Sequence, residues 1–581
     1  MELENVEDIY PLSPLQQLML LHYLGSSDSE KQIESMEFTL TGKIDINEIQ
    51  SAWNTVVSQH AALRTEFHWK KLSKPVQVVR LNLEGIPSAS KCVPGKDIPD
   101  QVREFRERNL ACGVQLDNAP IVRLFMIRTS EESVHVLITY HPIVLDGWSI
   151  AIVLRDFFTI LRGGESDGDV GKGRFRNYIA WLQNRNSAET EQWWRKQLCG
   201  IEQVTPVWTS KKVDHSLVGK DYIRIKRNLG ESQSNELTRL ARINRTTLNM
   251  AVQTTWALLL GHYAGCEQVV IGTVTSGRPS DLDHVESMVG TFINNLPLSV
   301  SWSSRSRVKE ILREVQTTIL ELQRHGYVSP AEIQAWSDVG DAGRLFESLV
   351  LFQNFPVAGT FWDDSGRFEV GGLQKNIRTS FPLSLVCIPQ KSIELELILD
   401  SALWDEPAAQ RILDDFLRLL TACLSNPEWP IMQALELVSP PSDGDFFVSA
   451  LERGQHDGKE PDPDLVEPAN ELERAVADIW KDILGISRLG VYDDFFELGG
   501  DSLKALRMIS RIRQKLGIEI QVHDIFKAPN ISKLSDSLRA DMSDGKDTFA
   551  SKEEELRARI DKMTPEQISE LLEKKRRGKH R

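Results

Sequence analysis

Cysteine is scarce and scattered: Cys92, Cys112, Cys199, Cys266, Cys387 and Cys423 form no close pair. Neither a zinc site nor a disulfide framework is indicated, and most of these side chains read as small buried hydrophobes. An excess of positive charge is lacking too. Lys plus Arg number 68 against 83 Asp plus Glu, a formal charge of -15, which argues against nucleic acid or an anionic membrane as a main partner. No uncharged apolar run is long enough to span a bilayer. The opening Met1-Glu2-Leu3-Glu4-Asn5 has neither the basic region nor the apolar run of a signal peptide, so a cytoplasmic location is expected. No internal repeat is visible.

What is present divides the chain. Its 581 residues suggest three or four folding units with sizeable cores. Residues 1 to about 440 are dense in alternating and periodic apolar residues, with Val134–Tyr140 reading as a buried strand and Leu248–Tyr263 as a helix. This is an α/β region. Residues 438–469 contain Pro440-Pro441-Ser442-Asp443-Gly444 and Pro461-Asp462-Pro463-Asp464, the content of a mobile linker. Residues 470–540 read as a small all-α bundle: Leu472, Val476, Ile479, Trp480 and Ile483 share one helical face, and further helices are expected over 502–516 and 531–538. Residues 541–581 form a charged tail. Within it Thr564-Pro565-Glu566-Gln567 fits a capping box, and Ile568, Leu571 and Leu572 give a narrow apolar stripe. A helix this short is marginal alone, so a frayed end and a docking helix for a partner both stand.

The most informative stretch is Asp493-Asp494-Phe495-Phe496-Glu497-Leu498-Gly499-Gly500-Asp501-Ser502-Leu503-Lys504-Ala505-Leu506. Two glycines allow a tight turn, Ser502 can cap a helix, and Leu503, Leu506 and Ile509 follow at helical spacing. A phosphodiester on Ser502 would lie against free backbone N–H groups and the positive end of the helix dipole. Gly-Gly-Asp-Ser alone would be an ordinary capped turn. In its setting, Leu498-Gly499-Gly500-Asp501-Ser502 matches the LGGxS motif in full, and residues 470–540 resemble a peptidyl carrier domain. The resemblance implies 4'-phosphopantetheine, attached covalently to Ser502 by a phosphopantetheinyl transferase.

A second set of motifs runs through the larger region: Tyr10-Pro11-Leu12-Ser13-Pro14-Leu15-Gln16-Gln17, Leu63-Arg64-Thr65-Glu66-Phe67, His141-Pro142-Ile143-Val144-Leu145-Asp146-Gly147-Trp148-Ser149, Ile271 to Pro279, Met288 to Pro297, and Ser329 to Gln334. In order and spacing these resemble the condensation domain of nonribosomal peptide synthetases. The resemblance implies a two-lobed α/β fold similar to chloramphenicol acetyltransferase, with lobes over 1–175 and 176–437. Two carrier arms would enter a tunnel from opposite faces, and His141 to Gly147 would lie at its centre. No acyl-enzyme is required, since an amine on one arm attacks the thioester on the other.

The catalytic motif HHxxxDG maps onto His141, Asp146 and Gly147, but Pro142 stands where the second histidine, usually assigned to catalysis, is expected. Proline can neither accept a proton nor donate a hydrogen bond. Adjacent residues of an extended segment point to opposite faces, so His141 is expected to face the lobe's core; a one-residue bulge would instead turn it into the tunnel, with Tyr140 taking the inner place. In the family this aspartate is chiefly architectural and often pairs with an arginine, so the resemblance implies a structural rather than a catalytic role for Asp146 and Arg278, in keeping with a buried carboxylate's need for such a partner. Asn295 and Ser299 depart from the Asn-Thr-Leu-Pro-Leu-Arg form common in the family, which bears on the acceptor side of the tunnel.

Most elongation modules of that family carry an adenylation domain between condensation and carrier domains. Here only the linker separates them, and no Gly-rich phosphate loop of that family is visible, so loading is expected to need an adenylating enzyme in trans or another carrier. Two functional classes remain. One is an amide-forming condensation–carrier didomain working with other carrier proteins or synthetase modules; the near-complete flanking motifs favour it. The other is a degenerate platform recruiting a tailoring enzyme to a carrier-bound amino acid; Pro142 and the missing adenylation domain favour that. A free acyltransferase would have no use for a carrier domain.

Overall fold

A computed structural model describes residues 5–543 apart from stretches of which the longest are 26–32, 354–366, 449–465 and 517–524. The tail features at Thr564 to Leu572, and Gly499, Gly500 and Asp501 of the attachment motif, lie outside the described residues.

The strand Ser133–Tyr140 forms because β-branched and aromatic residues alternate with others that can also be covered. Val134, Val136, Ile138 and Tyr140 face the core built with the helices Ile46–Gln59 and Gly147–Leu161, while Leu137 packs with Phe105 of the helix Ile98–Ala111 on the other side. The sheet is thus covered on both faces, and the strand is buried at nearly every position. Its neighbours are Glu34–Gly42 on one side and Arg123–Ser130 on the other, both antiparallel, with Ser88–Lys91 at one edge.

The opposite edge strand comes from far along the chain. Phe368–Asn376 pairs antiparallel with Glu34–Gly42. The two halves of the α/β region are therefore interleaved: a strand lying in the stretch 176–437 completes the sheet of the first half. The second sheet has six strands in the order Asn294–Ser301, Gln268–Thr275, Ser348–Phe352, Leu383–Pro389, Ile393–Asp400, Tyr222–Asn228, with the pairings on both sides of Ser348–Phe352 parallel and the rest antiparallel. The helix Leu248–Ala264 covers it, begun by Thr247, whose side chain accepts the Met250 N–H, and ended by Gly265 in the left-handed region. Its residues are buried almost all round, as expected of a helix held between a sheet and other helices.

A short strand, Phe446–Val448, pairs with Val207–Thr209. The expected linker is therefore tied to the second half near its start. Beyond it, Glu471–Leu484, Ser502–Leu516 and Ile531–Ser543 are helices around a separate core that includes Val476, Ile479, Trp480, Ile483, Phe495, Met508, Ile512 and Leu534. Among the described residues, no helix is long and apolar enough to cross a membrane.

Candidate functional site at the seam of the two halves

The residues from His141 to Ser149 leave the end of the central strand, turn, and begin the helix Gly147–Leu161. Asp146 caps that helix, its Oδ1 accepting the Ser149 N–H at 2.7 Å. Its Oδ2 accepts the Phe292 N–H from the other half at 3.0 Å, and Arg278 Nη2 lies 3.5 Å from Oδ1. Both charged side chains are almost fully buried. The guanidinium also donates to Ser149 Oγ at 2.9 Å and to the carbonyls of Met288, at 2.9 Å, and Val285, and lies over the Phe292 ring. Ser149 Oγ in turn donates to the Gly290 carbonyl at 2.6 Å and accepts the Gly290 N–H at 3.1 Å. Gly277 lets the chain turn to deliver Arg278: its φ is +59°, and a Cβ there would meet the Phe292 carbonyl oxygen at 1.7 Å.

This network fastens residues 285–292 of the second half onto the motif segment of the first. Removing one member of a buried charge pair leaves the other uncompensated. Asp146→Asn, nearly isosteric, is expected to cost about 3–5 kcal/mol of stability, read as a shift of the urea midpoint without a change in slope.

Two further contacts hold the loop. Thr291 Oγ1 donates to the Pro142 carbonyl at 2.6 Å, and Gln16 Nε2 donates to the Ile143 carbonyl at 2.9 Å. Gln16 belongs to the helix Pro14–Gly25, as does Tyr23, whose ring meets the His141 imidazole edge-on at 6.0 Å. His141 is buried, and its Nδ1 accepts the Ile143 N–H at 3.0 Å. A nitrogen that accepts from a backbone N–H carries no proton of its own, so the neutral ring bears its proton on Nε2. Burial pushes its pKa down to about 3. The register between Glu34–Gly42 and Ser133–Tyr140 is regular up to the Glu34–Tyr140 pair, with no extra residue inserted before His141.

That burial has a consequence for acid stability. A histidine whose folded pKa is depressed is harmless above its unfolded value near 6.5. Below it the unfolded chain binds the proton and the folded chain does not, so stability falls with pH until the folded value near 3 is reached. Denaturant titrations between pH 6.5 and 4.5 should lose roughly 1.4 kcal/mol per pH unit from this group, and His141→Gln should flatten that slope.

Ser502 opens the helix Ser502–Leu516. It therefore falls in a first turn, where backbone N–H groups lack helical partners and the dipole favours an anion, so a serine at this place fits a phosphodiester. The same helix lies against two others, Pro14–Gly25 of the first half and Pro330–Ala335 of the second. The first of these is the helix that grips the motif loop through Gln16. Gln16, Ser149 and Thr291 were each visible within a motif segment, but nothing in their spacing said that these segments meet.

Comparison with known proteins agrees with this architecture. A condensation-domain family model matches residues 6–444, and a phosphopantetheine attachment site model matches residues 474–538. A linear gramicidin synthase of Brevibacillus parabrevis is 33% identical over 436 residues, which cover 73% of this chain and 6% of that protein. A surfactin synthase of Bacillus subtilis is 27% identical over 438 residues, 74% of this chain and 34% of that protein. The chain thus spans only a small part of the length of these relatives. Among solved structures, the condensation domain of the monacolin K polyketide synthase MokA superposes with a TM-score of 0.63 at 16% identity, covering 74% of this chain and all of that one. The starter condensation domain of rhizomide synthetase RzmA gives 0.62 at 15%, covering 73% of this chain and 96% of that one. This chain belongs to the condensation-domain family and carries behind that fold a phosphopantetheine attachment domain, with 4'-phosphopantetheine as its covalent cofactor.

Proposed function

We propose that the chain is an amide-forming condensation–carrier didomain, in which an amine attacks an acyl thioester at the seam beside Pro142 and Ser502 bears the phosphopantetheine. The observation that carries this reading is the contact of the helix Ser502–Leu516 with the helix Pro14–Gly25, whose Gln16 holds the motif loop. A carrier resting there is beside the seam that its cargo must reach. The cofactor supplies a thiol on a long flexible arm, and the protein's part is to hold the seam shut around the reacting groups. Asp146, Arg278 and Ser149 are positioning residues in this scheme. So is His141, because its Nδ1 is already engaged. Partners would be other carriers or synthetase modules, a phosphopantetheinyl transferase and an adenylating enzyme in trans.

A second reading rests on Pro142 itself. With no imidazole at that place, the seam serves as a recognition platform that presents a carrier-bound amino acid to a tailoring enzyme. Magnitudes leave room for the first reading, since general-base catalysis contributes about 10²- to 10⁴-fold, whereas positioning two tethered reactants supplies about 7–11 kcal/mol. Intact-protein mass spectrometry of the carrier, after mixing with loaded carriers, separates the two. Condensation adds the donor acyl mass to the carrier-bound amino acid; a platform leaves the loaded mass unchanged and retains a tailoring enzyme in a pull-down.

A further inference from the structure

Next to the motif loop stands a carboxylate that the mechanism above does not use. Glu34 begins the strand Glu34–Gly42 directly opposite Tyr140, the residue before His141 and Pro142. Tyr140 is fully buried, and its hydroxyl donates to Glu34 Oε2 at 2.7 Å. Lys375, delivered by the strand that crosses from the second half, opposes Met36 and so shares the face of Glu34. Its Nζ lies 3.3 Å from the same Oε2. Burial and the neighbouring Glu34 and Asp146 carboxylates push the Tyr140 phenol well up, so it stays protonated and remains a donor.

Both contacts fall on one oxygen. Among the described residues, Glu34 Oε1 has no hydrogen-bond or ion-pair partner, and the side chain retains 17% of its exposure. A tie between strands needs one oxygen; here the second is left open, on a carboxylate that the Tyr140 hydroxyl holds, opposite the end of the strand that runs into the motif loop. An α-amine with a pKa near 8 arrives mostly as a cation at neutral pH. A charge-assisted hydrogen bond to a partly buried carboxylate is the interaction that distinguishes it from an acylated nitrogen.

We propose that Glu34, held by the Tyr140 hydroxyl, is a specificity-determining residue that receives the protonated free amine of a carrier-bound amino acid at Oε1. The inference rests on the reading that the seam receives such an amino acid, but not on whether it then forms an amide. The test is a binding measurement on the intact chain with two probes, alanine joined to pantetheine through an unreactive amide and the N-acetylated form of the same compound. At pH 7 the wild type should bind the free amine at least tenfold more tightly, and Glu34→Gln should bring the two within about twofold. Glu34→Asp should keep part of the preference. Lys375→Met separates this role from strand fastening: it breaks the tie yet keeps the carboxylate, so the preference should persist or grow. A wild type indifferent to acetylation, a Glu34→Gln chain that keeps the preference, or a Lys375→Met chain that loses it overturns the inference. A chain that prefers the free amine but yields no amide in the mass-spectrometric assay upholds the inference and removes the condensation reading instead.

Discussion

Ser502→Ala should take up no phosphopantetheine when the intact chain is incubated with coenzyme A and a phosphopantetheinyl transferase, while the wild type gains one. The effect is all-or-none because a methyl group offers no oxygen for the phosphodiester. Its sharpness depends on the variant staying folded. Ser502 is the first residue of its helix, whereas the core of the bundle is built from Val476, Ile479, Trp480, Phe495, Met508 and Ile512. Loss of a first-turn serine costs about 0.5–2 kcal/mol at most, too little to unfold such a core. Helicity measured alongside the mass should therefore be unchanged. A variant that is still modified would move the attachment site elsewhere and undo the assignment of Ser502.

Much of this molecule was legible because its elements carry strong local periodicity. The run Val134–Tyr140 read as a strand and Leu248–Tyr263 as a helix, and both are so within a residue at each end. The helix expected over 531–538 runs on to Ser543, where Met542 continues the apolar spacing four residues after Leu538. What pairs with what was less visible. Phe368–Asn376 has the alternation of a strand, but nothing in that alternation names Glu34–Gly42, more than three hundred residues away, as its partner. The same holds for Phe446–Val448, hidden in a segment whose prolines and glycine speak for a linker.

At the seam the motifs located the segments, and the family resemblance suggested the Asp146–Arg278 pair. The sharing of Ser149 Oγ between Arg278 and the Gly290 backbone is a three-dimensional fact with no local signal. The occupied Nδ1 of His141 is of the same kind: alternation can say which face a residue takes, not which backbone N–H will claim its ring.

Pro142→His should raise amide formation between two loaded carriers by about 10²-fold, the lower end of what a positioned general base contributes. The loop is prepared for it. The carbonyl of residue 142 is held by Thr291 from the second half, and that of Ile143 by Gln16 from the first, so both flanks stay fixed when the ring is exchanged. The exchange adds a backbone N–H that must find an acceptor or water, which limits the gain and costs about 1 kcal/mol or more if it finds none. His141→Ala should leave the rate within a few-fold, since the wild-type ring offers no unprotonated nitrogen that is not already accepting a hydrogen bond. A hundredfold loss in His141→Ala, with no gain in Pro142→His, would mean that the ring turns over in the loaded complex and does the work itself. If wild type and both variants all fail with carriers that react elsewhere, a base is not what the seam lacks. Its two fastened halves, open carboxylate and docked carrier would then be the parts of a platform, and capture of a tailoring enzyme by the loaded chain, lost on Ser502→Ala, is the result that reading requires.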